Sequence, residues 1–239
     1  MSGGASLRSP LALEAELAAR SLSKRWAAQN AWLPALLALF ATAVIALFER
    51  EHATVGAADR ALSGIALGIA LPLLAYALFD LGLGNQRLDR ALQALARHGA
   101  DRRLSAAFLI AALAACSSLA GLVLAAVAVL VTRAPGDPLL ARDLLSSTWI
   151  GALAGLGYAG WFALGSTVGK RGGGRKWVLA FDFVLGASSG LLALPWPRAH
   201  VRNLLGGAAP LELGQGVAAL CLLGMALITF AATLGRTPR

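Results

Sequence analysis

The sequence predicts an all-α integral membrane protein: six spanning helices with an amphipathic interfacial helix ahead of them. Three observations carry that prediction. Of the 239 residues, 58% are hydrophobic and only 14% charged, with a mean hydropathy of +0.69; a soluble domain usually carries about a quarter charged residues. The apolar residues also gather into six runs, each approaching or exceeding the roughly 20 residues that cross a hydrocarbon core. Finally, the basic residues collect on one side of those runs, which is how membrane orientation is encoded. The net charge of +9 does not indicate nucleic acid, because no basic cluster sits on a soluble domain.

Residues 1–9 are polar. From Pro10 to Gln29 the stretch PLALEAELAARSLSKRWAAQ places Leu13, Leu17 and Trp26 near one helical face, with Leu11 and Leu22 close by. Acids come early and bases late, which suits the helix dipole. The pattern predicts a helix lying at a membrane surface or docked on a partner, and it closes a first region of residues 1–30.

Spans are predicted at about 31–48, 61–81, 105–132, 147–169, 177–195 and 217–235, within a membrane domain of residues 31–239. The first begins too late and runs on too far past Ala41–Ala43 for a cleaved signal peptide. With the N-terminus inside, 15 of the 21 basic residues fall in inner segments and six in outer ones. That asymmetry puts both termini in the cytoplasm. Trp32 and Trp177 fall at inner ends, and Trp149 and Trp196 at outer ends, as interfacial belts do. The outer stretches 133–147 and 195–215 mix Pro and Gly with Leu pairs, a composition for short interfacial or re-entrant helices. Only three of the 21 basic residues are lysine, and Ala, Leu and Gly dominate, which suits a GC-rich bacterial genome. Cys116 and Cys221 lie deep in apolar runs and read as small buried hydrophobes, with a disulfide left open.

Several motifs lack the context their chemistry needs. GLGYAG, Gly155 to Gly160, matches a dinucleotide fingerprint but lies inside an apolar run, where no amide is free for a pyrophosphate. Helix packing through small residues is the better reading, on Gly151/Gly155/Ala159, Gly64/Gly68, Gly165/Gly169 and Gly186/Gly190. GASSG, Gly186 to Gly190, fits G-x-S-x-G, yet His52, His98 and His200 all fall in loops and give Ser188 no base. The same scattered histidines offer no metal site. GSTVGKRGGGRK, Gly165 to Lys176, has Leu164 and Arg171 where a phosphate-binding loop needs Gly and Ser or Thr. It reads as a basic inner turn. Asp80 and Asp182 are possible intramembrane polar contacts near the inner face, where Arg87, Arg175 or Lys176 would neutralise them. Ser117, Ser118, Ser188, Ser189 and Thr229 read as interhelical hydrogen bonders.

Between the second and third runs, NQRLDRALQALARHGADRR predicts a short amphipathic helix. Leu88, Leu92 and Leu95 share a face, Gly99 offers a stop, and the chain turns at once into the third span. A helix clamped between two spans is a mechanical lever: whatever pushes it moves both.

At this point the chain resembles the permease subunits of type-2 ABC exporters. In that family a pattern of the kind G-T-L-E-L-L-L-S-L-P-V-S-R-R-x-L-L-L-G-K joins the second and third spans. Arg87 to Leu109, RLDRALQALARHGADRRLSAAFL, shares its layout of apolar helix, turn, paired arginine and span. LALEAELAARSLSKRW is similar to the family's connecting helix, with Glu16 where an acid often stands. Six spans, inner termini and a final outer loop placed for re-entrant helices agree. The chain departs from the pattern in lacking E-x-G-T-L-E and in having Gly99-Ala100-Asp101 where Pro-Val-Ser is common. Haem-exporter permeases share a similar layout.

The resemblance implies a permease of the bacterial inner membrane that binds no cofactor and is not itself an enzyme. ATP and Mg would sit on a separate ATPase subunit, and a second permease copy or a related permease would complete the translocation path. Coupling to the ATPase would fall to Arg87, Leu88, Leu92, Leu95, Arg97, Arg102 and Arg103, with Glu16, Arg20 and Trp26 on the connecting helix. A mostly apolar interior suits a lipid, a hydrophobic peptide or an amphipathic product better than a sugar. A non-transporting membrane scaffold is the alternative, and an intramembrane hydrolase a third.

Overall fold

The structure, a computed structural model, describes residues 10–52, 56–96, 101–134, 137 and 139–237. All regular structure among them is helical. The chain runs through α1 (Pro10–Ala28), α2 (Trp32–His52), α3 (Ala57–Ala61), α4 (Leu71–Gly82) and α5 (Leu88–Ala96). It continues through α6 (Arg102–Thr132), α7 (Leu140–Gly165), α8 (Gly174–Leu185), α9 (Pro197–Leu204) and α10 (Gln215–Arg236). Among the described residues, four stretches are long and apolar enough to cross a membrane: α2, Ala57–Gly82, α6 and α10.

α7 is the helix around which the bundle packs, and its sequence shows why. It has 26 residues but less apolar side chain than its neighbours, because glycine replaces bulk on two faces. A Cβ on Gly151 would lie 2.3 Å from the carbonyl oxygen of Gly121 in α6, and one on Gly155 would lie 2.2 Å from that of Ser117. On another side Gly157 meets Leu222, and Gly160 meets Thr229 and Ala226 of α10. Small residues let backbones approach this closely, so dispersion replaces the hydrophobic term that lipid cannot supply. Tyr158 and Phe162 of α7 are fully buried. GLGYAG is thus interior helix. Gly165 also packs closely, against the backbone of Gly174 and Arg175, whereas Gly64 and Gly190 meet nothing within 4 Å.

The second long stretch is one helix with a wide middle. Leu62–Ala70 winds as a π-helix between α3 and α4. Pro72 follows immediately, and its ring would clash with the carbonyl of Gly68 in a regular α-turn. The wider turn relieves that clash.

The expected fifth span, 177–195, is not one helix. α8 ends at Leu185 after 12 residues, a rise of about 18 Å against the roughly 30 Å of a bilayer core. Gly186 to Gly190 then breaks it, a short 3-10 turn covers Leu191–Ala193, and α9 follows from Pro197. The stretch 195–215 holds α9 and a further 3-10 turn at Pro210–Glu212. By contrast, 140–147 extends α7 instead of forming a separate interfacial helix. Trp32, Trp149 and Trp177 are exposed, whereas Trp196 is buried, its ring 5.1 Å from that of Trp161. Trp196 is thus turned into the protein, unlike the other three.

The serines and threonines serve their own helices more than their neighbours. Thr229 donates to the Met225 carbonyl at 2.6 Å and Ser188 to that of Leu185 at 2.8 Å. A carbonyl one turn back is always within reach, whereas an interhelical acceptor must be positioned by packing. Ser117 is buried and its hydroxyl has no partner among the described residues.

Gly151→Val is expected to lower stability by about 3 kcal/mol or more, through backbone overpacking. Gly224→Ala, where a Cβ meets nothing within 4 Å, is expected to be neutral or stabilising by about 0.5–1 kcal/mol. Unfolding of the two purified variants in detergent measures the difference.

Candidate functional site

The residues expected to act converge at one end of the bundle, beneath α5. Leu88, Ala91 and Leu92 are buried, with Asp89, Arg90 and Gln93 on the more open side. The leucine face expected to meet a partner therefore packs on the chain's own core, at 2% exposure for Leu88 and 1% for Leu92. Nine residues of amphipathic helix next to an apolar bundle bury their leucines in the nearest apolar surface, which is intramolecular. Arg97, Gly99 and the side chain of Leu95 lie outside the described residues. Arg87 pairs with Asp89 at 3.2 Å. Asp101 caps α6 by accepting the Leu104 amide at 2.8 Å. Arg102 is half-buried, and Arg103 donates to the Thr237 carbonyl at 3.3 Å near the C-terminus.

At the centre of this end lies Arg175, 1% exposed, from the first turn of α8. Its Nη2 donates to Asp80 Oδ1 of α4 at 2.5 Å. Its Nη1 donates to the Gln86 carbonyl at 3.0 Å and to Ser166 Oγ at 3.2 Å. Ser166 in turn gives its carbonyl to the Leu88 amide, an orphan donor at the start of α5, at 3.1 Å. One guanidinium thus ties α8, the end of α4, the chain entering α5 and the end of α7.

The glycine-rich turn makes this burial possible. Gly172 has φ +72°, and a Cβ there would fall 2.7 Å from Arg175 Nη1. A Cβ on Gly174 would fall 2.4 Å from the Gly165 carbonyl oxygen. The turn read as merely basic therefore folds α8 tightly against α7 and aims one of its arginines inward.

α1 adds a second arginine. Arg25 donates to the Gly82 carbonyl at the end of α4 and to the Ala91 carbonyl of α5, both at 3.0 Å. A cation on the last carbonyls of a helix answers both its orphan acceptors and its dipole. Burial pulls the Arg25 guanidinium below its usual pKa, although arginine remains the protonated donor. The Trp26 indole donates to the Leu78 carbonyl at 3.4 Å, and Glu14 accepts the Asp101 amide at 3.2 Å. The inward stripe of α1 includes Ala18 and Leu22, while Leu11 and Leu13 are exposed. Glu16 and Arg20 pair with each other one turn apart.

The two acids part company. Asp80 meets Arg175, one of the cations expected for it. Asp182 does not meet a basic side chain near that end. It is 1% exposed, accepts the Tyr158 hydroxyl at 3.1 Å and the Arg198 amide at the start of α9 at 3.1 Å. Its place on α8 points it toward the break, where a helix N-terminus supplies the compensating dipole. Ser188 and His200 form no nucleophile and base: His200 is buried, with Nε2 on the Leu194 carbonyl at 2.8 Å. Both cysteines are free, and no metal-holding group of three side chains occurs among the described residues.

No protein-family model, curated protein or solved structure matches this chain.

Removing one partner of a buried, hydrogen-bonded ion pair typically costs about 3–5 kcal/mol. Arg175→Met is expected to destabilise on that scale, and Asp80→Asn less, since Asp80 is 21% exposed. The double variant Arg175→Met/Asp80→Leu is expected to lose less than the sum of its single changes. Unfolding midpoints for the cycle test the coupling, which additive losses would contradict.

Proposed function

We propose that the chain is the membrane-spanning permease subunit of an ATP-driven exporter of type-2 ABC layout. In this reading it forms the translocation path with a second permease and couples to a separate ATPase through α1 and α5. The stretches α2, α3–α4, α6, α7, α8 with its broken continuation, and α10 make six passes in a bacterial inner membrane, with both termini cytoplasmic. The observation that carries the reading is the pair of arginines beneath α5. Arg25 and Arg175 bind α5 and its entry to α1, α4, α7 and α8, so a force on α5 reaches four other helices.

The contact surface then differs from the leucine face. Leu88 and Leu92 hold the lever to the bundle, and the partner meets Asp89, Arg90 and Gln93 together with the outward side of α1. Charge on such a rim governs docking rate and specificity more than raw affinity. ATP and Mg belong to the partner. Closure of the ATPase would push α5 and α1, and the rigid joint would pass that motion to α8 and its break.

The test is co-expression with an ABC ATPase encoded beside this gene. The chain is expected to copurify with it and to change its ATP turnover. Arg90→Glu with Gln93→Glu is expected to reduce that change about tenfold, a loss of roughly 1.4 kcal/mol of coupling. Copurification with some other soluble protein, and none with any ABC ATPase, would point to the scaffold alternative.

A further inference from the structure

At the end opposite α5, a cavity of about 450 Å³ opens between the π-helix of the second long stretch and α9. That volume lies in the range of small-ligand sites. One wall is Ser63, Gly64 and Leu67, and the facing wall is Arg198, Val201 and Arg202. Its wall chemistry is divided: two arginines, an aspartate and a serine stand beside leucine and valine.

The two arginines differ in what they already hold. Arg202 is committed to the broken segment after α8, donating to the Ala187 carbonyl, to that of Ser188 at 2.6 Å and to that of Ala208 at 3.2 Å. Arg198 is not. Its guanidinium lies 4.6 Å from the Phe183 ring centroid, yet its side chain donates no hydrogen bond to any described residue. No carboxylate lies within ion-pair distance of it among the described residues. A half-buried guanidinium over an aromatic face, with its fork of donors unused, is a receptor for an oxyanion. Asp182 accepts the Arg198 backbone amide and, buried nearby, also attracts its guanidinium through space, but without an ion-pair contact that would occupy the fork. Asp59 also lines the cavity but is exposed, where water weakens its repulsion of an anion.

We propose that this cavity binds an amphiphile with a phosphate-type headgroup, the oxyanion on Arg198 and the apolar part along Leu67 and Val201. The geometry supplies the reason for the wide turn as well. The π-helix presents Gly64, where a Cβ would meet nothing within 4 Å, so backbone lines the cavity where a side chain would fill it. π-turns recur at functional sites for such reasons.

The test needs only the purified full chain in detergent, so it stands apart from the presence of an ATPase partner. Binding of phosphatidylglycerol, of diacylglycerol with the same tails and of inorganic phosphate is followed by native mass spectrometry. Phosphatidylglycerol is expected to bind saturably and diacylglycerol at least tenfold more weakly. Arg198→Gln keeps the backbone amide that anchors Asp182 and is expected to cut phosphatidylglycerol affinity at least tenfold. Gly64→Leu, whose Cβ meets nothing within 4 Å, adds bulk at the cavity wall and is expected to do the same. Arg142→Gln, an exposed arginine of α7 outside the cavity, is expected to change nothing. Competition by inorganic phosphate, lost in Arg198→Gln, assigns the site to the anion itself; absence of competition assigns it to the intact lipid. Unchanged affinity in Arg198→Gln and Gly64→Leu, or an equal loss in Arg142→Gln, overturns the proposal.

Discussion

Burying a guanidinium in an apolar bundle carries a desolvation penalty of several kcal/mol, offset only when its donors are engaged in good geometry. Arg175 meets most of that condition through its two terminal nitrogens, drawing in Asp80, Gln86 and Ser166 from three separate parts of the chain, while its Nε has no partner among the described residues. The arrangement at this end follows from it. α4 must stop where its last turn offers a carboxylate, the chain must turn at once, and α7 must end with a hydroxyl facing inward. The glycines of the 165–174 turn are then required, since a Cβ at Gly172 or Gly174 collides with the arginine or with α7. Arg25 completes the joint from α1 and leaves α5 held at its entry and within its length.

A joint made of one ion pair and several charge-assisted hydrogen bonds is stiff because its members cannot separate without leaving a charge buried alone. That stiffness distinguishes α5 from a solvated loop. The opposite end is built differently. α9 is held to α8 by Asp182 and to the segment after α8 by the Arg202 donors, Trp196 just ahead of it packs on Trp161 of α7 and Phe181 of α8, and the helix itself is interrupted. The rigid joint and the broken segment share α8, so a displacement at one reaches the other along a single short helix.

Much of this was legible in the sequence. The long apolar helices, α1 and α5 announced themselves through run length and helical periodicity, and the glycine spacing of α7 pointed to close packing. Where the reading stopped has physical causes. Hydropathy sums cannot see that Gly186 to Gly190 interrupts a run, so α8 was joined to the turn after it. Periodicity gave α5 its leucine face but not the direction it points, because inward and outward burial produce the same pattern. The π-helix leaves no hydropathy trace, and only Pro72, four residues after Gly68, hints at it. The sequence names Arg175 only as one of three cations within reach of Asp80 and Asp182, and nothing in hydropathy or charge marks it as the buried one. The signal for its burial is the density of glycine around it, more than a basic turn requires.

The central claim is that Arg175 joins α5 and α8 into one mechanical unit, and amide hydrogen exchange of the full chain tests it most directly. In Arg175→Met, amides of Leu88–Ala96 and of Gly174–Leu185 are expected to gain exchange together, while those of the α6–α7 seam stay protected. Faster exchange confined to the first turn of α8, with α5 as protected as before, would contradict the account.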